Sequence, residues 1–145
     1  MRFLITILLA VFGILLMPKT LLAQSNDEID KCEIKIPLPY VSDGQAYLGQ
    51  FSDEDYIQFD VVFFRNVKYR IMLCEKEYQY FYITLEDTYG NILFSGDEYN
   101  NPLFWDFTFD DTMRCYIKLH KSDKNYKAEY GAIAIGYEQN KPKHP

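Results

Sequence analysis

Hydrophobic and polar side chains alternate with a two-residue period along most of this chain. In residues 56–64 the apolar side chains share one face of an extended backbone: Ile57, Phe59, Val61 and Phe63. The same pattern returns in residues 69–74, 77–87, 92–95, 104–109, 114–119 and 130–138. Successive side chains of a β-strand point to opposite faces, so this period predicts strands with one buried side.

Polar residues and turn formers separate these segments. Turn chemistry is present at residues 65–68, 87–91, 96–102 and 110–112. No segment after residue 24 keeps an apolar i, i+3, i+4, i+7 pattern for three helical turns. Short strands that recur about every ten residues predict an all-β fold, an antiparallel two-sheet β-sandwich of jelly-roll type.

The phase of each strand assigns its side chains to the interior or the exterior of the sandwich. Beyond residues 56–64, the predicted interior positions are Tyr69, Ile71, Leu73, Phe81, Ile83, Leu85, Trp105, Phe107, Phe109, Cys115, Ile117 and Leu119. In the last strand, Gly131 and Gly136 would let a neighbouring strand approach closely, because glycine has no Cβ atom.

Residues 77–87, EYQYFYITLED, carry tyrosines where a solvent-facing strand usually carries Lys, Thr or Glu. If this segment is one strand, Tyr78, Tyr80 and Tyr82 form an outward row at intervals of about 7 Å. Such a row can stack on sugar rings or anchor a protein partner, because tyrosine combines apolar area with a polar tip. Two alternatives stay open, namely cross-strand aromatic pairs that stabilise an exposed sheet, or a loop that covers the row.

The first 24 residues differ in character from the rest. Arg2 precedes an uninterrupted apolar run at residues 3–17, and PKTLLAQ follows with small and polar residues. This order is typical of a cleavable signal peptide. A membrane anchor is the competing interpretation, but Pro18 and Lys19 end the run before the roughly 20 apolar residues of a spanning helix. We therefore expect cleavage near residue 24, export to the periplasm or the cell exterior, and no membrane span afterwards.

Removal of residues 1–24 leaves a chain long enough for one domain. We expect an N-terminal entry segment at residues 25–54, the β-sandwich core at 55–138 and a disordered tail at 139–145. Two of the 15 basic residues and none of the 21 acidic residues lie in the leader, so the mature chain has a formal charge of −8. A charge of this sign disfavours nucleic acid and anionic membrane surfaces as partners, because phosphates attract basic proteins.

Three cysteines, Cys32, Cys74 and Cys115, follow the leader. An oxidising compartment permits a disulfide, and an odd count leaves one thiol over. The wide spacing of the cysteines does not match a zinc motif. Strand phase places Cys115 with the core residues and Cys74 on the opposite side. Cys32, on the entry segment, is therefore the freer partner, and we predict a disulfide from it to either Cys74 or Cys115.

Groups that could catalyse a reaction are scarce. Neither His120 nor His144 lies in a motif, and Cys115 would face away from His120 on one strand. Carboxylates cluster at predicted strand ends, in particular Asp53, Asp55, Asp110 and Asp111. Such carboxylates either bind Ca²⁺ or are solvated side chains of turns, and no cluster has the spacing of a known calcium loop. We therefore expect no enzyme and no cofactor, with Ca²⁺ at these four aspartates as the candidate metal.

Short motifs in the chain resemble known proteins. A D-x-x-G-x-x-L turn is present as Asp87, Gly90 and Leu93, and a late Y-x-I-x-V-like strand begins at Tyr116. Together with the strand order, these motifs resemble the small sandwich of bacterial prepeptidase C-terminal domains over residues 55–138. PYVSDGQAY, which ends at Tyr47, is similar to the entry of small exported bacterial proteins. The first resemblance implies a non-catalytic sandwich associated with secretion or binding.

These features together predict a non-catalytic binding module of the bacterial cell envelope, with a glycan or an envelope protein as its ligand. The alternative is a structural or assembly component that pairs with another chain through an exposed sheet edge. Binding on a glycan array or the behaviour of the leader-free protein in size-exclusion chromatography would separate the two hypotheses.

Overall fold

The computed structural model describes residues 36–45, 47–51, 54–74, 78–100 and 102–139. The predicted leader, Cys32, Asp53 and residues 140–145 of the predicted tail lie outside the described residues. The described residues form nine strands, β1 (Tyr40–Ser42), β2 (Tyr47–Gln50), β3 (Tyr56–Phe63), β4 (Lys68–Leu73), β5 (Phe81–Asp87), β6 (Ile92–Ser95), β7 (Phe104–Thr108), β8 (Met113–Lys121) and β9 (Tyr130–Glu138). Short 3-10 helices lie at Tyr78–Tyr80 and Gly96–Glu98. Within these ranges, no helix has the length and apolar character that a bilayer crossing requires.

The strands form two antiparallel sheets. The five-stranded sheet has the order β1-β9-β4-β7, with β2 also paired to β9, and the four-stranded sheet has the order β3-β8-β5-β6. β1 and β2 lie end to end along one edge of β9, because Val41 pairs with Tyr137 and Leu48 pairs with Ala132. They therefore act as one edge strand with an interruption.

The strands pair in a nested order when β1 and β2 are counted as one. The first strand pairs with the last, β3 with β8, β4 with β7, and β5 with β6. The pairs β4–β9 and β5–β8 then join these hairpin arms into the two sheets. A long antiparallel hairpin rolled up in this way is a jelly roll. The predicted all-β two-sheet sandwich is confirmed.

Side chains that the alternation assigned to the interior fill the space between the sheets. Those with no more than 1% exposure are Phe63, Ile71, Phe81, Ile83, Leu85, Cys115, Ile117 and Leu119. Trp105 is also buried, and Phe107 and Phe109 pack against the core at its margin. Outside the five-stranded sheet, Met72 and Ala134 form a second small cluster. β9 is therefore buried on both faces.

Gly49 of β2 and Gly131 of β9 are register partners where the two sheets come very close. A Cβ atom at Gly131 would lie 2.7 Å from Cδ2 of Leu119, and one at Gly49 would overlap Ile57. Both of these neighbours belong to the four-stranded sheet. The glycine pair therefore permits a contact between sheets that any larger residue would obstruct.

Two boundaries differ by more than two residues from those that the sequence predicts. β5 begins at Phe81 and not at residue 77, because Tyr78–Tyr80 forms a 3-10 helix. β1 and β2 lie inside residues 25–54, the predicted entry segment, and complete the five-stranded sheet. The sandwich therefore starts before residue 55. Strands this short contain too few alternating positions for a period to be recognised.

Arg70 of β4 joins both edges of the five-stranded sheet across its outer face. Its guanidinium donates hydrogen bonds of 2.7 and 2.8 Å to the carboxylate of Asp106 in β7. The same group lies over the rings of Tyr40 in β1 and Phe104 in β7, at 4.2 and 3.8 Å from their centroids. Tyr40 Oη donates to Asp106 at 2.9 Å. This charge-assisted cluster holds the short N-terminal strand in place.

Phe63→Ala should lower the free energy of unfolding by about 3–5 kcal/mol, because it removes a fully buried ring from the core. Val62→Ala, one residue earlier on β3, should change it by less than about 0.5 kcal/mol, because Val62 is 48% exposed. Urea unfolding followed by the fluorescence of Trp105 measures both values. Equal losses in the two variants would contradict the assignment of the two faces of β3.

Candidate functional site

The three tyrosines that the sequence predicts as a binding row do not form one row along a strand. Tyr78 and Tyr80 belong to the 3-10 helix ahead of β5 and are 37% and 38% exposed. Tyr80 stacks on Tyr126, with ring centroids 4.6 Å apart. Of the three, Tyr82 alone lies on β5. The expected row is therefore wrong, because the chain turns before strand pairing begins at Phe81.

Tyr82 belongs instead to an aromatic row that runs across the four-stranded sheet. Tyr56 of β3, His120 of β8 and Tyr82 of β5 occupy facing positions. The ring of His120 lies nearly parallel to Tyr82 at a centroid distance of 4.8 Å, and 5.4 Å from the ring of Tyr56. His120 Nε2 shares a hydrogen bond of 3.1 Å with buried Thr84. These rings pack on one another, as cross-strand pairs that stabilise a sheet do.

The surroundings of this row favour a neutral imidazole. Burial and the positive charge of Lys118 lower the pKa of His120, while the negative charges of Glu86, Asp97 and Asp55 oppose the shift. Burial also raises the pKa of the Tyr82 hydroxyl. Lys118 itself forms an ion pair of 2.7 Å with Glu86. This face of the sheet is therefore occupied by interactions among its own side chains.

The aspartates predicted to bind Ca²⁺ are not brought together. Asp55 precedes β3 and pairs with Lys124 at 2.9 Å. Asp110 and Asp111 lie beside the other end of β3, roughly 24 Å away at the rise of an extended strand. Asp53 is outside the described residues. In the part of the chain that the structure describes, no three His, Cys, Asp or Glu side chains are grouped to hold a metal ion. Asp55 therefore cannot share a site with Asp110 and Asp111.

The cysteines of the sandwich differ in their chemical state. Cys115 is a free thiol without exposed surface, and burial raises its pKa. Cys74 is disulfide-bonded and packs against the small cluster outside the five-stranded sheet. Cys32 lies outside the described residues. Because Cys115 is free, Cys74 is the remaining candidate for the disulfide of Cys32, and that pairing stays a prediction.

A cleft of about 610 Å³ opens between the two sheets, at the end away from the aromatic row. The four-stranded sheet contributes the end of β3 and the turn that follows, and the five-stranded sheet contributes parts of β2, β4 and β9. The cleft is lined by Asp43, Gln45, Tyr47, Asp60, Val61, Val62, Phe64, Val67, Tyr69, Ile135 and Tyr137. Its volume lies in the range of small-ligand sites, roughly 300–1000 Å³.

The cleft opens where the edge strand of the five-stranded sheet is interrupted. The N–H of Asp43 still donates to the carbonyl of Ile135 at 2.9 Å. Gly44 then adopts a φ of 74°, in the left-handed region that favours glycine. Ser42 Oγ accepts from the N–H of Gly44, and Asp43 Oδ1 accepts from that of Gln45, each at 3.0 Å. These local bonds turn the chain away from β9 between β1 and β2.

Two tyrosine hydroxyls lie among the polar groups of the cleft wall. Tyr47 Oη donates to Asp43 Oδ2 at 2.7 Å, and burial together with this hydrogen bond raises the pKa of Tyr47. Tyr69 Oη accepts from the backbone N–H of Phe64 at 3.0 Å. Both rings are buried, so their positions are fixed before any ligand arrives.

The two carboxylates of the cleft differ in their charge partners. Asp60 accepts two hydrogen bonds from the guanidinium of Arg114, which holds the pKa of Asp60 below its usual value. Asp43 accepts hydrogen bonds from two uncharged donors, the hydroxyl of Tyr47 and the backbone N–H of Gln45. Among the ion pairs of the described residues, none includes Asp43. Asp43 is therefore the carboxylate of the cleft that has no cationic partner among the described residues.

The cleft could not be recognised from the sequence. Its walls come from β3 and from the break between β1 and β2, which only the tertiary fold brings together. One local signal was present, because the SDG of PYVSDGQAY is a turn-forming triplet between two short β-prone stretches. That triplet marks the break in the edge strand.

Comparison of the chain with protein-family models, with curated proteins and with solved structures finds no match. The resemblance to prepeptidase C-terminal domains therefore stays a prediction.

The free energy of unfolding should decrease as the pH falls below about 6.5, through His120. The folded chain lowers the pKa of His120 from its ordinary value of 6.5, so acid protonates the unfolded chain first and favours it. His120→Gln, which can still bond to Thr84, should flatten this dependence. Urea unfolding at neutral pH and at about pH 5 measures the effect. His144→Gln is the control, and a dependence that follows His144 in place of His120 would contradict the assignment.

Proposed function

We propose that this protein is an exported, non-catalytic binding module of the bacterial cell envelope, and that its ligand occupies the cleft between the two sheets. The observation that carries the proposal is the cleft itself, with a volume of about 610 Å³. Ligand sites are concave and mostly apolar, with a few polar groups that orient the ligand. The ligand class is the one expected from the sequence, a glycan or an envelope protein.

The chemistry of the lining supports reversible binding. The described wall combines valine, isoleucine, phenylalanine and tyrosine with two aspartates and one glutamine. Aromatic rings supply contact area, while hydroxyl, amide and carboxylate groups supply directional hydrogen bonds. The guanidinium of Arg114 keeps Asp60 ionised, so Asp60 is a poor proton donor at neutral pH. These properties favour recognition over proton transfer.

Two features support the exported location. The leader pattern at residues 1–24 is the first. The second is the disulfide of Cys74, because disulfides persist in oxidising compartments such as the periplasm and the cell exterior. The acidic balance of the mature chain is consistent with a partner other than nucleic acid.

Removing the aromatic side chains at the mouth of the cleft should weaken ligand binding. The double variant Phe64→Ala/Tyr137→Ala removes two side chains that line the cleft and are 59% and 37% exposed. We expect the affinity for a ligand found on glycan or peptide arrays to fall at least about tenfold, as for an aromatic hot spot. The leader-free protein and the variant are compared on the same arrays, and circular dichroism verifies that both are folded.

The matched control is Tyr78→Ala/Tyr80→Ala, at the other end of the sandwich. These side chains are as exposed as Tyr137, at 37% and 38%, and do not line the cleft. This variant should bind the ligand as the unmodified protein does. If it loses binding while the cleft variant retains it, the site lies at the tyrosines and the proposal for the cleft is overturned.

The features of β6 favour a second candidate function, assembly through a sheet edge. β6 is an edge strand, and its Ile92 and Leu93 side chains are 64% and 46% exposed. Tyr89, in the turn before β6, is 90% exposed. An apolar edge strand offers backbone N–H and C=O groups to the strand of another chain. This arrangement supports pairing with another envelope protein or with a second copy.

If β6 pairs with a second copy, Ile92→Lys/Leu93→Lys should convert the protein to a monomer, because lysines on an edge strand oppose pairing. Size-exclusion chromatography with light scattering over a range of concentrations measures the molecular mass. Val62→Lys, on the opposite edge strand β3, is the control and should leave the assembly unchanged. A leader-free protein that is monomeric at every concentration would remove self-assembly from consideration.

A further inference from the structure

The charges at the cleft point to the class of group that the cleft binds. None of the described residues that line the cleft is Lys or Arg. Asp60 has Arg114 as its partner, whereas the described donors to Asp43 are the neutral groups of Tyr47 and Gln45, and no described ion pair includes Asp43. A ligand that brings a positive charge to Asp43 would therefore supply the charge partner that Asp43 does not have among the described residues.

The remaining wall matches a group with an apolar stem. Val61, Val67 and Ile135 line the cleft together with the rings of Tyr47 and Tyr137. Lysine and arginine side chains have a methylene stem that packs on apolar surface and a cationic end that bonds to a carboxylate. The faces of tyrosine rings also attract a cation. The lining and the charge of Asp43 thus fit the two parts of a basic side chain.

The strand beside the cleft has an unpaired backbone edge. Asp60, Val61 and Val62 are consecutive residues of β3 and all line the cleft. β3 pairs with β8 along one edge, and along its other edge it forms no backbone pairing with a strand of the described chain. An extended peptide can add to such an edge through backbone hydrogen bonds. Every second side chain of that peptide would then point to the same side.

We infer that the cleft receives the lysine or arginine side chain of an extended segment from a protein partner, with Asp43 as its charge partner. This inference rests on the proposed function, and it names the ligand of the same site. An amino sugar also carries a positive charge, but a ring covered with hydroxyl groups matches an apolar wall less well than a methylene stem does. The free edge of β3 also favours a peptide, because it offers a ladder of backbone groups.

Three short acetylated and amidated peptides of alternating valine and threonine test the inference. They differ in the central residue alone, which is lysine, norleucine or glutamate, so that norleucine keeps the stem without the charge. Calorimetric titration of the leader-free protein should show the lysine peptide binding at least about tenfold more tightly than the norleucine peptide, with the glutamate peptide weakest. The preference for lysine should shrink at high salt, because ions screen an accessible pair.

Asp43→Asn should remove the preference for lysine and leave the affinity of the norleucine peptide unchanged. Asparagine retains the Oδ1 acceptor that bonds to the N–H of Gln45, so the turn at Gly44 keeps its support. Asp55→Asn removes the same charge at the far end of β3 and should leave the preference for lysine intact. If Asp43→Asn does not fold, the salt dependence of the unmodified protein still tests whether a charge pair causes the preference for lysine.

The outcomes separate this inference from the proposed function. The lysine and norleucine peptides could bind with equal affinity and both lose binding in Phe64→Ala/Tyr137→Ala. That result would overturn the inference that the cleft binds a basic side chain, and it would keep the cleft as the ligand site. Binding of glucosamine oligomers that depends on Asp43, without peptide binding, would overturn the protein partner in favour of an amino sugar. If no peptide and no oligomer binds, the inference is overturned, and the array experiment with the cleft variant decides the proposed function.

Discussion

Strand β9 bonds to β4 along one edge and to β1 and β2 along the other, and its central residues are buried on both faces. The chain closes into a sandwich when this last strand meets the first, so contacts distant in sequence hold the fold together. A buried strand needs hydrogen-bond partners on both sides. β1 and β2 meet this need with an interruption at Asp43 and Gly44, where side chains satisfy the local N–H groups. The same interruption opens the cleft.

A strand as short as β1 has few ladder bonds, and its position depends on side chains on the outer face of the sheet. Tyr40 stacks against the guanidinium of Arg70 and donates to Asp106. Arg70 also holds the pKa of Asp106 below its usual value, so the pair stays charged at neutral pH. This cluster lies on the side of the sheet away from the cleft. It nevertheless fixes one wall of the cleft, because β1 leads directly into the turn at Asp43.

The fold could be predicted from the sequence because alternation is a property of each strand by itself. The burial of Phe59 and Ile83 could be predicted because the residues two positions away on the same strand are also apolar. Tyr78 and Tyr80 continue the same alternation yet lie in a 3-10 helix, since a two-residue period over so few positions does not mark where pairing begins. The cleft could not be predicted in this way. Its walls lie on different sheets and meet only through the register of the complete roll.

Where Gly49 faces Gly131 the two sheets touch with no room for even one extra methyl group. Further along β9, at Tyr137, the same two sheets are far enough apart to border the cleft. The interior of the protein is thus shaped like a wedge, open at one end and sealed at the other. A long polymer cannot thread through such a space. Whatever enters must be a small molecule, a chain end or a projecting group, and it must leave by the path along which it arrived.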